Sequence, residues 1–150
     1  THGLLQSSKI LSRFNQYGID VDVSLFLTKQ PLLQPHYSKY FKLNRIPYFW
    51  EDDVEMEEGA DWKNIEKYNQ IPGLKIYDFH PIHIFLNSHS FAVYEKIKNT
   101  NYPNIDEVEL LSQKNESFGG ETFFKSLLES LKNKNTFTIS DISQIFNDSK

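Results

Sequence analysis

Apolar positions recur at helical spacing over residues 4–17, where Leu4, Leu5, Leu11, Phe14 and Tyr17, with Ser8 and Ser12, trace one face and Gly18 follows as a stop. This pattern predicts an opening helix. Residues 19–27 alternate apolar and polar before becoming continuously apolar, as a strand does on entering a buried sheet. Residues 28–44 carry Pro31, Pro35 and scattered aromatics without a period, which predicts a long loop of the kind that usually serves function. Residues 45–50 form a short apolar run, read as a strand with Glu51, Asp52 and Asp53 at its tip. Asp61 then caps a short helix over 62–68, ended by Pro72-Gly73. Residues 74–80 are the next convincing strand, stopped by Pro81, and period two puts Asp78 and His80 on one of its faces. Residues 82–94 continue as loop and helix, and 99–113 are polar and irregular. Residues 118–133 read as an amphipathic helix with Phe123, Phe124, Leu127, Leu128 and Leu131 on its apolar stripe. A short extended piece at 136–140 precedes a last helix, capped by Ser140 and Asp141 and running through Phe146.

A helix-then-strand start, with strands that end in charged residues, predicts an α/β fold with a mainly parallel sheet and a site at the C-terminal strand edge. The persuasive strands are few for such a sheet. Residues 1–150 therefore read as a single domain that is the later part of a larger α/β fold, and a start at Thr1 rather than methionine leads us to expect residues upstream.

Composition narrows the class. At 39% apolar, 15% aromatic and 24% charged, the chain can bury a core, and with no cysteine it does so without disulfides or thiolate-bound zinc. Sixteen basic against twenty acidic residues, a net charge of −4, argue against a nucleic-acid footprint, which needs a concentrated basic face. No run approaches a membrane span and the N-terminus lacks signal-peptide order, so we expect a cytoplasmic protein, although absence of cysteine suits any redox compartment. Only Arg13 and Arg45 are arginines, which marks Arg45 as a possible fixed partner for a carboxylate.

Three stretches collect the reactive side chains: His2, the run from Arg45 through Trp50 to Asp53, and the run from Asp78 through His80 to His83. If parallel strands bring these ends together, the set is what metal-assisted hydrolysis requires. The bland alternatives are a capped strand end for His80-Pro-Ile-His83, a solvated loop for the acidic residues 51–58, a salt bridge for Arg45 and core packing for Trp50. Asp78, His80 and His83 as ligands of a different metal enzyme is a further alternative.

Arg45-Ile-Pro-Tyr48 resembles the Arg-x-Pro-Tyr motif of the NodB-homology polysaccharide deacetylases of carbohydrate esterase family four, and Ile76-Tyr-Asp-Phe-His80 resembles their last-strand Ile-x-Leu-x-His motif. Order and spacing agree as well. The wording of both stretches, with Thr1-His-Gly-Leu-Leu-Gln-Ser-Ser at the start, is most similar to the WbmS-like branch, which is associated with bacterial surface-polysaccharide clusters. The likeness covers residues 1 to about 90.

That resemblance implies the C-terminal portion of a distorted (β/α) barrel and a hydrolase that removes N-acyl, typically acetyl, groups from amino sugars. A divalent metal, zinc, is its implied cofactor and a carbohydrate its implied partner. His2 falls at the first ligand histidine, while Gln6 stands where the second would be, and the motif supplying the metal aspartate and the base belongs upstream. Arg45 matches the arginine that orients the base, the Tyr48 amide the oxyanion donor, and Trp50 the aromatic wall, with His83 beside the substrate. His80 matches the acid, tuned by Asp52 or Asp53, and Asp78 stands where the family has a leucine lining the acetate pocket. Without the upstream aspartates this stretch alone is expected to be inactive. An inactive carbohydrate-binding or scaffold member of the same fold is the other expectation, favoured by Gln6 and Asp78.

Overall fold

A computed structural model describes residues 5–99 and 104–149 and shows a mixed α/β chain divided into two compact units. One comprises Thr1–Trp50, Ile71–Tyr77 and Asn135–Lys150, the other Glu51–Gln70 and Asp78–Lys134. A closed barrel is not among the described features, and the sheets are small.

In the first unit the opening helical segment is broken. Helix α1 covers only Ser8–Leu11, capped by Ser7, whose side chain accepts from the Ile10 amide, and a 3₁₀ turn follows over Phe14–Tyr17. Polar side chains take up the backbone here: Ser12 Oγ donates to the Lys9 carbonyl, and Asn15 is drawn out to the Phe41 carbonyl. Gly18 closes the turn at φ +70°, as the sequence led us to expect.

Strand β1 (Val21–Asp22) pairs in parallel with β3 (Leu43–Arg45), which pairs on its other edge, antiparallel, with β2 (His36–Ser38). The expected long loop thus contains a strand pair, and this small sheet is mixed rather than parallel. Pairing is set by position: Asp22 stands opposite Arg45, and Val21 opposite Asn44. Beyond β3, Pro47 cannot donate to a ladder, and pairing resumes as a parallel bridge between Phe26 and Tyr48, whose rings stack at 4.6 Å. Leu43, Ile46, Tyr48, Phe49 and Trp50 are buried. The last helix, α8 (Ile139–Asp148), is capped by Thr138 rather than Ser140, with Asp141 returning a carboxylate oxygen to the Thr138 amide at 2.9 Å. It is tied to β3 through Asn44, whose amide donates to Ser143 Oγ and Asn147 Oδ1.

Strands β4 (Trp50–Glu51) and β5 (Tyr77–Asp78) pair, and at each the chain crosses between the units. In the second unit, α2 (Asp52–Glu57) occupies most of the acidic run 51–58, whose bland alternative is a solvated loop. Its first turn carries Asp52, Asp53 and Glu55, where the positive end of the helix dipole favours carboxylates. Helix α3 spans Glu66–Asn69, and α4 (Pro81–Phe85) starts directly after β5 with Pro81 in its first turn. Helices α5 (Phe91–Lys98) and α6 (Glu107–Ser112) follow, the latter capped by Asp106 in a stretch expected to be irregular. Helix α7 (Gly120–Leu131) carries the expected amphipathic stripe.

Leu86, Val93 and Ile97 form the aliphatic core of this unit, while Phe123 meets Trp62, Tyr68 and Phe79 in an aromatic cluster. The start of α7 is pressed against the end of α4. A Cβ on Gly119 would lie 2.0 Å from the Asn87 carbonyl oxygen, and one on Gly120 2.9 Å from that of His83. Asn87 completes the clamp by donating to the Asn115 and Ser117 carbonyls and accepting from the Thr122 amide. No helix among the described residues is long and apolar enough to cross a membrane.

Candidate active site

The second unit gathers Asp52, Asp53, His80 and His83. The first two begin α2 immediately after β4, and His80 is the N-cap of α4 immediately after β5, so pairing of the two strands delivers them together. His83 follows on α4, one turn after His80.

Asp52 is fully buried and accepts three hydrogen bonds: from the His80 amide at 2.8 Å on Oδ2, and on Oδ1 from its neighbour Asp53 at 2.9 Å and from His80 Nδ1 at 2.6 Å. A carboxylate that only accepts fixes the proton of the neutral ring on Nδ1. His80 Nε2 is left as the atom that gains or loses a proton, on a side chain 40% exposed. Burial by itself would lower the His80 pKa, but the hydrogen bond to Asp52 and the charges of Asp52, Asp53 and Asp78 together outweigh it, and the net direction is up. For Asp52 burial wins, raising its pKa against the pull of His80.

His83 is buried, with Nδ1 3.1 Å from Ser88 Oγ and Nε2 2.9 Å from Asp53 Oδ1. That contact holds Asp53 below the ordinary carboxylate range despite its partial burial. The same oxygen is 3.6 Å from His80 Nδ1. One ligand-type atom from each of Asp53, His80 and His83 lies within 4.8 Å of the others, a proximity and donor set that a divalent cation could use. As it stands the cluster is held by its own contacts, and a cation on His80 Nδ1 would have to displace the proton shared with Asp52.

Arg45 lies in the first unit. Its Nε is 2.8 Å from Asp22 Oδ2, and its Nη2 donates to Gln6 Oε1. Asp22, buried, accepts in addition from the Ser24 amide and hydroxyl. Sequence reasoning missed Asp22; its signal was a carboxylate set between valines on a strand entering the core. Gln6 also donates to the Ser24 carbonyl. With its one oxygen turned to a guanidinium, Gln6 does not fit the place of a metal ligand. His2 lies outside the described residues.

The residues expected to meet substrate are placed differently. Trp50 is fully buried against Tyr77, which is the core-packing alternative. Tyr48 is buried, and its amide, expected to face an oxyanion, donates to the Leu25 carbonyl at 3.0 Å. His83 has both ring nitrogens engaged beneath the surface. Asp78 faces solvent.

A search of curated proteins finds no match. Among solved structures the chain is similar to a Bordetella bronchiseptica protein described as a candidate polysaccharide deacetylase involved in O-antigen biosynthesis. The TM-score is 0.77 at 31% identity, over 86% of this chain and 53% of that one. The chain thus spans about half the length of that relative. A family profile described as WbmS-like polysaccharide deacetylase matches residues 1–98, and the chain belongs to that family.

Proposed function

We propose that the whole protein is a metal-dependent deacetylase that hydrolyses an N-acyl amide, typically acetyl, on an amino sugar of a bacterial surface polysaccharide. His80 serves as the acid that protonates the leaving amine. The observation that carries this reading is the hydrogen bond of His80 Nδ1 to buried Asp52, which leaves Nε2, on a side chain 40% exposed, as the atom that can release a proton. Asp52 orients the ring and favours the imidazolium, the form an acid needs before the C–N bond breaks. Asp53 adds a second negative charge on the same side. Proton delivery to nitrogen turns a poor amide leaving group into a free amine, and the same ring, once neutral, can take a proton back from water.

A divalent cation, zinc in our reading, would polarise the acyl carbonyl and lower the pKa of water when bound. His2 would be one of its ligands, with the others supplied by residues outside this chain. In the first unit Arg45, which pairs with Asp22, would orient a carboxylate base.

Deacetylation of N-acetylated oligosaccharide by the whole protein, measured as acetate release, tests the proposal. Loss of kcat by about a hundredfold or more in His80→Ala with KM little changed supports it. Full activity in that variant refutes it. A carbohydrate-binding member without catalysis is the second reading, and the Gln6 to Arg45 contact favours it because it leaves that position unable to hold a metal. Sugar binding by calorimetry without acetate release, and without zinc in the purified protein, selects that reading.

A further inference from the structure

We propose that His83 and Ser88 are positioning residues that pin Asp53 beside His80, so that the acid ring stands between two carboxylates instead of one. This rests on the assignment of His80 as the acid, but the arrangement itself can be tested without activity.

The chain of contacts is continuous. Ser88 is fully buried; its amide donates to the His83 carbonyl at 2.9 Å, and its own carbonyl accepts from Gly120 at 2.9 Å, so its hydroxyl has a fixed origin. That hydroxyl is 3.1 Å from His83 Nδ1 and can donate to it, the tautomer that carries a proton on Nε2, the nitrogen 2.9 Å from Asp53 Oδ1. The ring is held in this pose by the edges of Phe91 and Tyr94, at 6.3 and 5.4 Å between centroids, and by the close approach of Gly120 to the His83 carbonyl.

Asp53 needs such an anchor. Its side chain is 36% exposed, and the only side chains at ion-pair distance from it among the described residues are His80 and His83. Oδ1 is nonetheless buried, without a straight hydrogen bond, between the two rings. Without His83, a carboxylate at the start of a helix would turn to water, where it is better solvated. With His83 present it stays 3.6 Å from His80 Nδ1. A buried histidine here is not the choice that packing alone would make, since an apolar ring would suit the neighbouring Phe91 and Tyr94 equally well.

The groups that face His80 are Asp52 and Asp53 from α2, Asp78 from β5 and His83 from α4. The test is NMR titration of the His80 ring in the whole protein, in wild type, Asp53→Asn, His83→Phe, Ser88→Ala and the double variant Asp53→Asn with His83→Phe. Asp53→Asn and His83→Phe should each weaken proton binding at His80 by about three- to tenfold. The double variant should show no more than the larger single effect, because one acts through the other. Ser88→Ala should give a smaller shift of the same sign. Where acetate release is measurable, the alkaline limit of kcat should move down by the same amount with KM unchanged, which a merely structural role would not produce. A His80 titration that moves in Asp53→Asn but not in His83→Phe, or that moves in neither, overturns the proposal. Should His83→Phe fail to fold, an unmoved titration in Ser88→Ala overturns it equally. Shifts as expected in a protein without deacetylase activity would uphold the arrangement and reject only the catalytic reading.

Discussion

Replacing Asp52 by asparagine tests the pairing on which the site depends. The carboxylate accepts from His80 Nδ1 and the Asp53 amide on one oxygen and from the His80 amide on the other. An asparagine does best by keeping its oxygen on the side that receives two donors. Its NH2 then faces the His80 amide, donor against donor. An orphaned buried donor costs about 1–3 kcal/mol, and turning a charged hydrogen bond into a neutral one removes about 1 kcal/mol more. Because the His80 ring is 40% exposed, water recovers part of the second term, and the expected loss is about 2 kcal/mol. A group whose pKa is raised by folding stabilises the folded state fully below its unfolded value, ~6.5 for histidine, and that contribution disappears as pH rises through the folded value. The gap between wild type and variant should therefore be wider at pH 6 than at pH 9. In the variant the His80 pKa should fall, since burial, which lowers it, is then opposed by less negative charge. Urea unfolding at both pH values, beside NMR titration of the ring, reads both effects. A gap under about 0.5 kcal/mol at both pH values with an unmoved His80 titration would refute the reasoning.

Other expectations follow from single contacts. Gly119→Ala places a methyl 2.0 Å from the Asn87 carbonyl oxygen, so the backbone must move; a loss of about 1–3 kcal/mol in thermal unfolding is expected, and an unchanged Tm would contradict it. Arg45→Met leaves Asp22 buried without its cation and should destabilise the first unit by about 3 kcal/mol in urea, whereas a neutral result would mean that the Ser24 contacts suffice. Tyr77 has a buried hydroxyl with no hydrogen-bond partner among the described residues, and burial raises its pKa; Tyr77→Phe should be neutral or stabilising, and a loss above about 1 kcal/mol would show a missing partner. In the whole protein Gln6→Ala should leave zinc content unchanged, because that oxygen faces Arg45, and loss of metal would refute this placement.

How much of this was legible depended on whether local pattern or distant contact decided the outcome. The amphipathic helix α7 and the left-handed Gly18 are local, and both read correctly. The acidic run did not: six carboxylates in eight residues suggest a solvated loop, yet Asp52, Glu55 and Met56 are buried at helical spacing in α2, with Glu55 accepting from the Tyr68 hydroxyl at 2.6 Å. That spacing was the available signal. Pro81 was read as a strand stop when it was also a helix start, which hid the one-turn relation of His80 to His83. The meeting of Asp52 with His80 followed from placing both at strand ends. The β2 and β3 pairing and the Asn87 clamp join segments with no local signature, so no window of sequence could reveal them.

The tie between β3 and α8 has a consequence for biosynthesis. Asn44 is bonded to Ser143 and Asn147, about a hundred residues later, and the second unit is encoded almost wholly between those partners. A ribosome delivers the early strands long before the helix that anchors them. Until then Leu43, Ile46 and Phe49, all inaccessible to solvent in the finished chain, belong to an incomplete unit, while residues 78–134 already have most of their own partners. The long wait is where chaperones or premature strand pairing would act. A stop a few residues before Ser143 should therefore injure the first unit far more than the second, even though the strand it unties lies about a hundred residues upstream.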